Sequence, residues 1–194
     1  MKLKFTSFAT AFAISLTCLP AMADDKPRDA KASKDPMVAV LKDRGDAKSF
    51  ESTFLSLMIH HHQSGRKMAS YAKQKAGNGE LKELATKIDS QQGEEIEKMT
   101  SWLKQWHDKS PDHSIVPDET KKMEAATSSK LESASGKEFA QLFASKMAEH
   151  HASGIAMAKL AQDKAEHQEM KTFAKKMITM QEEEREKLLK LAKE

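Results

Sequence analysis

The stretch Met58-Ile-His-His-His-Gln-Ser-Gly-Arg-Lys-Met-Ala69 returns 89 residues later as Met147-Ala-Glu-His-His-Ala-Ser-Gly-Ile-Ala-Met-Ala158, and both copies hold HH-x-S-G-x-x-M-A. The correspondence runs outward without a gap: Phe50 matches Phe139, Phe54 matches Phe143, Ala85 matches Ala174, Gln92 matches Gln181 and Glu95 matches Glu184. Of the 46 paired positions from Phe54 to Met99, 21 are identical. Within each copy the apolar positions step by three and four, which is the period of an amphipathic helix. One helical hairpin cannot bury its own apolar stripe, so two copies should pack face to face. The expectation is an all-α four-helix bundle with a pseudo-twofold axis.

The helices can be placed from their stripes and stops. Phe50, Phe54, Leu57, Met58, His61, Gly65, Met68, Ala69 and Ala72 predict a long helix from Ala47 to about Ala76, ended by Gly77-Asn78-Gly79. Leu81, Leu84, Ala85, Ile88, Gln92, Glu95, Met99, Leu103 and Trp106 draw the return helix, so repeat 1 spans about 47–106. Residues 107–134 carry Pro111, Pro117 and many Ser, Thr and Lys residues; they read as a connector with a helical turn or more near Asp118 to Ala126. Ser135-x-x-Glu138 reads as a capping box opening repeat 2, which spans about 135–194. Ahead of the repeats, Asp35-Pro36 should cap a short helix from Met37 to about Lys42.

Lys2 and Lys4, the apolar run Phe5–Leu19 and Ala21-x-Ala23 read as a secretory signal peptide over residues 1–23. Residues 24–34, polar and without periodicity, read as a disordered leader, leaving 35–194 for the bundle. The chain's one cysteine, Cys18, falls in the signal segment, which excludes disulfides and thiolate metal sites from the mature protein. Without Lys2 and Lys4, 30 basic residues face 29 acidic ones, which argues against a large cationic surface for nucleic acid or membrane.

Residues three, four and seven apart share a helix face, so Met58, His61, Gly65 and Met68 should project together, as should Met147, His150, Gly154 and Met157. His62 and His151 lie about 100° further round and should flank that seam. Gln92, Glu95, Gln181 and Glu184 put polar groups on the opposing stripes. Buried imidazoles and carboxylates need partners, so the layer implies mutual hydrogen bonds, with His61–Glu95 and His150–Glu184 as the expected pairs, or a cation. Each interior glycine costs up to about 1 kcal/mol relative to alanine, so Gly65 and Gly154 mark a need for room or for close helix packing. Imidazole with thioether, and no thiol, suits copper, Cu(I) above all; Cu(II) or zinc is compatible with the histidines and Glu95 or Glu184. Met99, Met170, Met177 and Met180 sit on core stripes and read as packing. Trp102 and Trp106 read as a packing pair, and His107, His113 and His167 as solvated.

Phe54 to Ala69, read as FLxxMIxHHxxxxxMA, and Gln92 to Leu103, read as QxxEIxxMxxWL, resemble the bacterial exported family described as domain of unknown function 305. The resemblance covers nearly all of residues 47–194 as two tandem copies; the second departs from the pattern at Ala148, Met180 and Arg185 and lacks the tryptophan. It implies a ferritin-like bundle and, for some members, periplasmic copper binding that supports copper tolerance. On matching positions it points to His61, His62, Met68, His150, His151 and Met157.

The combined expectation is a periplasmic, non-enzymatic protein, monomeric or weakly dimeric, that buffers or carries Cu(I) and exchanges it with another periplasmic copper protein. His61, His62, His150 and His151 are the imidazole ligands and Met58, Met68, Met147 and Met157 the thioether ligands, with Glu95 and Glu184 in support. One rival is a metal-free interaction or stress protein whose buried polar groups only set helix register. Another is a di-metal redox enzyme, weakened because no Glu-x-x-His motif stands on a seam: Glu149 adjoins His150 and Glu51 lies ten residues before His61.

Overall fold

The computed structural model describes residues 34–194 except Asn78, and the expected signal peptide and all but the last residue of the leader lie outside the described residues. Six α-helices account for the architecture, with no strand among the described residues: α1 (Pro36–Lys42), α2 (Ala47–Lys75), α3 (Gly79–His107), α4 (Asp118–Ser133), α5 (Gly136–Lys164) and α6 (Gln168–Leu191). A 3-10 turn, His113–Ile115, precedes α4. Asp35 caps α1 by accepting the Met37 amide at 2.8 Å, and Asp46 caps α2 by accepting the Ser49 amide at 2.7 Å. The capping box expected at Ser135 does not form. Ser135 occupies the cap position without a side-chain bond, and Gly136 follows at φ +55°, a left-handed entry that a capping box does not have.

α2 packs with α3 and α5 packs with α6 as two hairpins, and the hairpins meet mainly through α2 and α5. The Phe50–Phe54 and Phe139–Phe143 pairs stack in the same way in the two repeats, each with centroids 6.2 Å apart. Two apolar clusters fill the bundle. Met58 and Met157 lie together in one, and Met68 and Met147 in the other. This pairing puts the start of α2 level with the end of α5, so the two central helices run antiparallel.

The structure departs from the sequence pattern in two places. α2 is amphipathic only in its second half, because every residue from Phe50 to Ile59 is buried. The face that periodicity assigns to solvent is covered by the connector: the Asp112 amide donates to Ser56 Oγ and Lys109 Nζ donates to Ser52 Oγ, both at 3.2 Å. The connector is also more helical than expected, because α4 runs for 16 residues. Its end is anchored from outside, since Lys75 Nζ donates to the carbonyls of Leu131, Glu132 and Ala134 while Leu131 is fully buried.

Candidate metal centre

Between the two apolar clusters lies one polar layer. His61 and His150 stack face to face, centroids 3.6 Å apart and planes 9° from parallel, and His61 Nε2 stands 3.1 Å from the His150 carbonyl oxygen. Their neighbours turn outward to acids: His62 Nε2 lies 2.7 Å from Glu95 Oε2, and His151 Nε2 lies 3.0 Å from Glu184 Oε2. The expected pairs were His61–Glu95 and His150–Glu184, so the pairing is shifted by one residue. A step of one residue turns a helix face by about 100°. The antiparallel crossing of α2 and α5 takes His61 and His150 for each other and leaves the next histidine facing its own hairpin's return helix.

The glycines are explained by the same crossing. A Cβ on Gly65 would collide with Gln92 Oε1 and stand 2.6 Å from His150 Nε2; one on Gly154 would stand 2.5 Å from Gln181 Oε1 and 3.0 Å from His61 Cε1. Each glycine therefore makes space for the histidine of the other repeat and the glutamine of its own. Ordinary side chains could not approach so closely without the neighbours moving.

The layer is poorly satisfied from within. His61 Nδ1, His62 Nδ1, His150 Nε2, His151 Nδ1 and both amide atoms of Gln92 and of Gln181 are buried with no hydrogen-bond partner from the protein. Such atoms cost on the order of 1–3 kcal/mol each when unpaired, so a set of this size points to a guest or to a rearrangement. Burial, followed by the positive charge a neighbouring histidine would carry, holds His61 and His150 well below the ordinary imidazole range, so both rings are neutral and able to donate a lone pair at physiological pH. For Glu184, burial works to raise the carboxyl's pKa, but the His151 hydrogen bond and charge, with Lys87 Nζ at 3.3 Å, outweigh it and hold the group ionised.

Among the described residues, no three His, Cys, Asp or Glu side chains converge as a metal-holding group. The stacked rings of His61 and His150 explain this, because their planes lie parallel and their nitrogens do not aim at a common point. The donor set fits a soft ion in type, and at least one ring must rotate before both imidazoles can bind it. Met58, Met68, Met147 and Met157 are buried in the apolar clusters above and below the layer. Met99, Met170 and Met177 are core residues as expected; Met180 is half-buried, its sulfur accepting from Gln91 Nε2 at 3.7 Å.

A second group of titratable residues escaped the sequence reading. Glu51 is fully buried, and its Oε1 accepts the backbone amides of Glu166 and His167 at 2.7 and 2.8 Å. Its Oε2 lies 2.8 Å from His167 Nδ1 and 3.6 Å from His107 Nε2. The expectation that these two histidines are solvated is corrected for His107, whose side chain is 2% exposed, and in part for His167, which is 34% exposed but stacked on Trp106 at 4.0 Å. Burial first, opposed by the Glu51 charge, lowers the His107 pKa. His113 is exposed as expected, and Trp102 and Trp106 stack at 4.7 Å. The only advance signal was the placement of Glu51 on the inner side of α2, one turn before Phe54 and Leu55.

The comparisons with known proteins agree with this architecture. CopM in its Cu(II)-bound form is similar over 74% of this chain and 95% of its own length, with 27% identity and a TM-score of 0.66. Its Cu(I)-bound, silver-bound and apo forms match at 28% identity. A DUF305 fragment from Deinococcus radiodurans shares the fold, with a TM-score of 0.68 at 21% identity over 76% of this chain and 98% of that one. A candidate secreted DUF305 protein from Streptomyces coelicolor matches at 25% identity, covering 75% of this chain and 91% of its own, with a TM-score of 0.64. No curated protein sequence matches the chain. The model of the family described as "Domain of unknown function (DUF305)" matches residues 21–103 and again residues 51–192, and the chain belongs to that family.

Proposed function

We propose that this protein binds copper, with Cu(I) preferred, at the polar layer between its two apolar clusters, and that it acts outside the cytoplasm as a buffer or carrier and not as an enzyme. The observation that carries the reading is the set of buried, unpartnered imidazole nitrogens to which both repeats contribute. The copper- and silver-bound forms of CopM support the choice of metal. In this reading His61 and His150 unstack to present nitrogen donors. His62 and His151, each bonded through Nε2 to a carboxylate, keep Nδ1 for the ion, with Glu95 and Glu184 fixing the ring orientation. Met68 and Met157, and Met58 and Met147 beside them, are the thioethers within one turn of the layer.

The test is anaerobic titration of the mature protein with Cu(I) against a chromogenic competitor. The double variant His61→Ala, His150→Ala should lose at least about tenfold in affinity, the worth of about 1.4 kcal/mol. Affinity equal to wild type would remove these residues as ligands. The register-setting, metal-free reading draws on the stacked rings and the two His–Glu pairs; thermal melting that copper, zinc and iron all leave unmoved would favour it, since a ligand bound only by the native state raises stability.

A further inference from the structure

α1 and α4 have no counterparts in the repeat, and they contact one another on one side of the α2–α5 crossing. Beneath them lies a cleft of about 480 Å³ lined by His61 and His150 together with Met37 from α1, Met68 from α2 and Met123 from α4. His62 and His151 stand outside its lining. Met37 and Met68 are buried, at 3% and 6% exposure, whereas Met123 is 46% exposed and is the large apolar side chain left in solvent among the described residues. The three thioethers thus come from three helices and line the same cleft as the stacked imidazoles, one at the surface and two buried. Several charged groups about the rim are engaged: Glu124 with His60 at 3.0 Å, Glu149 with Lys146 at 2.9 Å, and Asp35 with Ser153 Oγ at 2.8 Å. The thioethers of Met37, Met68 and Met123 are the soft donors along the wall.

We infer that this cleft is the route by which a soft monovalent cation, Cu(I) or Ag(I), enters and leaves, with Met123 as the outermost capturing thioether and Met37 and Met68 as intermediate donors leading to His61 and His150. A lone exposed methionine needs no explanation. Three around one cleft that is also lined by two imidazoles form a path of soft donors, because thioethers bind soft ions without having to lose a proton and exchange them by ligand replacement. The inference rests on the proposed copper site. It adds direction: the cleft framed by α1 and α4 reaches the layer from one side, so exchange by this route is one-sided although the layer itself is nearly twofold.

The experiment is stopped-flow transfer of Cu(I) from its bicinchoninate complex to the mature protein, repeated with Ag(I). Met123→Leu keeps the apolar volume and removes the sulfur; Ala126→Trp narrows the cleft from its exposed rim. Both variants should slow uptake and release by about an order of magnitude, in the manner of rate-limiting access. Met180→Leu, which removes a thioether outside the cleft, should keep the wild-type rate. Wild-type rates in both cleft variants would overturn the route while leaving the copper site standing. Slowing by Ala126→Trp alone would overturn the role of the thioethers. Equal slowing in Met180→Leu would make the effect one of general methionine loss and overturn the assignment to this cleft. Failure of the wild type to take up Cu(I) or Ag(I) would overturn both readings together.

Discussion

The middle of the bundle and its ends follow different rules. In the middle, each repeat supplies a His–Glu pair, a stacked imidazole, a buried glutamine and a glycine, and the two sets superpose in kind: His62–Glu95 at 2.7 Å answers His151–Glu184 at 3.0 Å. At the end of the bundle the repeat is abandoned. Glu51 gathers two imidazoles and two backbone amides, whereas its counterpart is Ala140. Trp102 stacks on Trp106 and meets Phe173 edge-on at 5.2 Å, while the position matching Trp102 is Leu191. Beside the layer, on the partly exposed surface, Arg66 and Lys73 converge on Asp89, where the matching position is Ile178. Symmetry has been kept in the polar layer between the two apolar clusters, whereas the buried acid Glu51 and the partly exposed joint at Asp89 have been free to differ. A paired guest or a paired hydrogen-bonded core requires the first; any sufficient packing satisfies the second.

The contrast can be broken most sharply at Glu51. Glu51→Ala should destabilise by about 3 kcal/mol, because two amides at the head of α6 and the His167 imidazole lose a buried acceptor, while Ala140→Ser at the matching position should stay within about 0.5 kcal/mol. Urea unfolding of the two variants measures the gap. Comparable losses at both positions would mean that the end is as symmetric as the centre.

In the polar layer the expectation is the opposite, equality between repeats. Gly65→Ala and Gly154→Ala should each cost about 1–3 kcal/mol by forcing the glutamine of the same repeat and the histidine of the other from their places. A large difference between the two in denaturant midpoint would show that only one half of the layer is tightly built.

The same layer makes the metal-free protein sensitive to acid. His61 and His150 have folded pKa values depressed below the unfolded value of about 6.5, so the unfolded chain binds more protons and stability rises with pH through this window. Stability should be full above the ordinary imidazole range and fall progressively as the pH drops below it. His61→Leu should flatten that slope. An unchanged slope would place the acid sensitivity elsewhere.

The smallest effect belongs to Asp89. Its bonds to Lys73 and Arg66 hold its carboxyl below the usual range, so its contribution is present above the unfolded carboxylate pKa and lost as pH falls through the folded one. The partners are partly exposed, and Asp89→Asn should cost roughly 0.2–1 kcal/mol at neutral pH and less in high salt. Ile178→Val, at the matching place in the other hairpin, should show no salt dependence.

Much was legible in the chain. The 3.6-residue period, the glycine stop at 77–79 and the ungapped repeat determined four long helices in two hairpins, because burial of an apolar stripe is a local property of spacing. The repeat also singled out the residues that now form one layer: His61, His62, His150, His151, Glu95, Glu184, Gln92 and Gln181. Which histidine meets which acid was decided only in three dimensions. A one-residue step turns a face by about 100°, and the antiparallel crossing of α2 and α5 sets that rotation through contacts that no single helix contains. The same holds for Glu51 with His107 and His167, where three distant segments meet at one end of the bundle, and for α4, whose Ser/Thr-rich sequence carries little stripe and whose length is held by Lys75 and Leu131. Local periodicity fixed the elements; the relative rotation and covering of those elements, a property of the packed whole, decided which side chains meet in the polar layer.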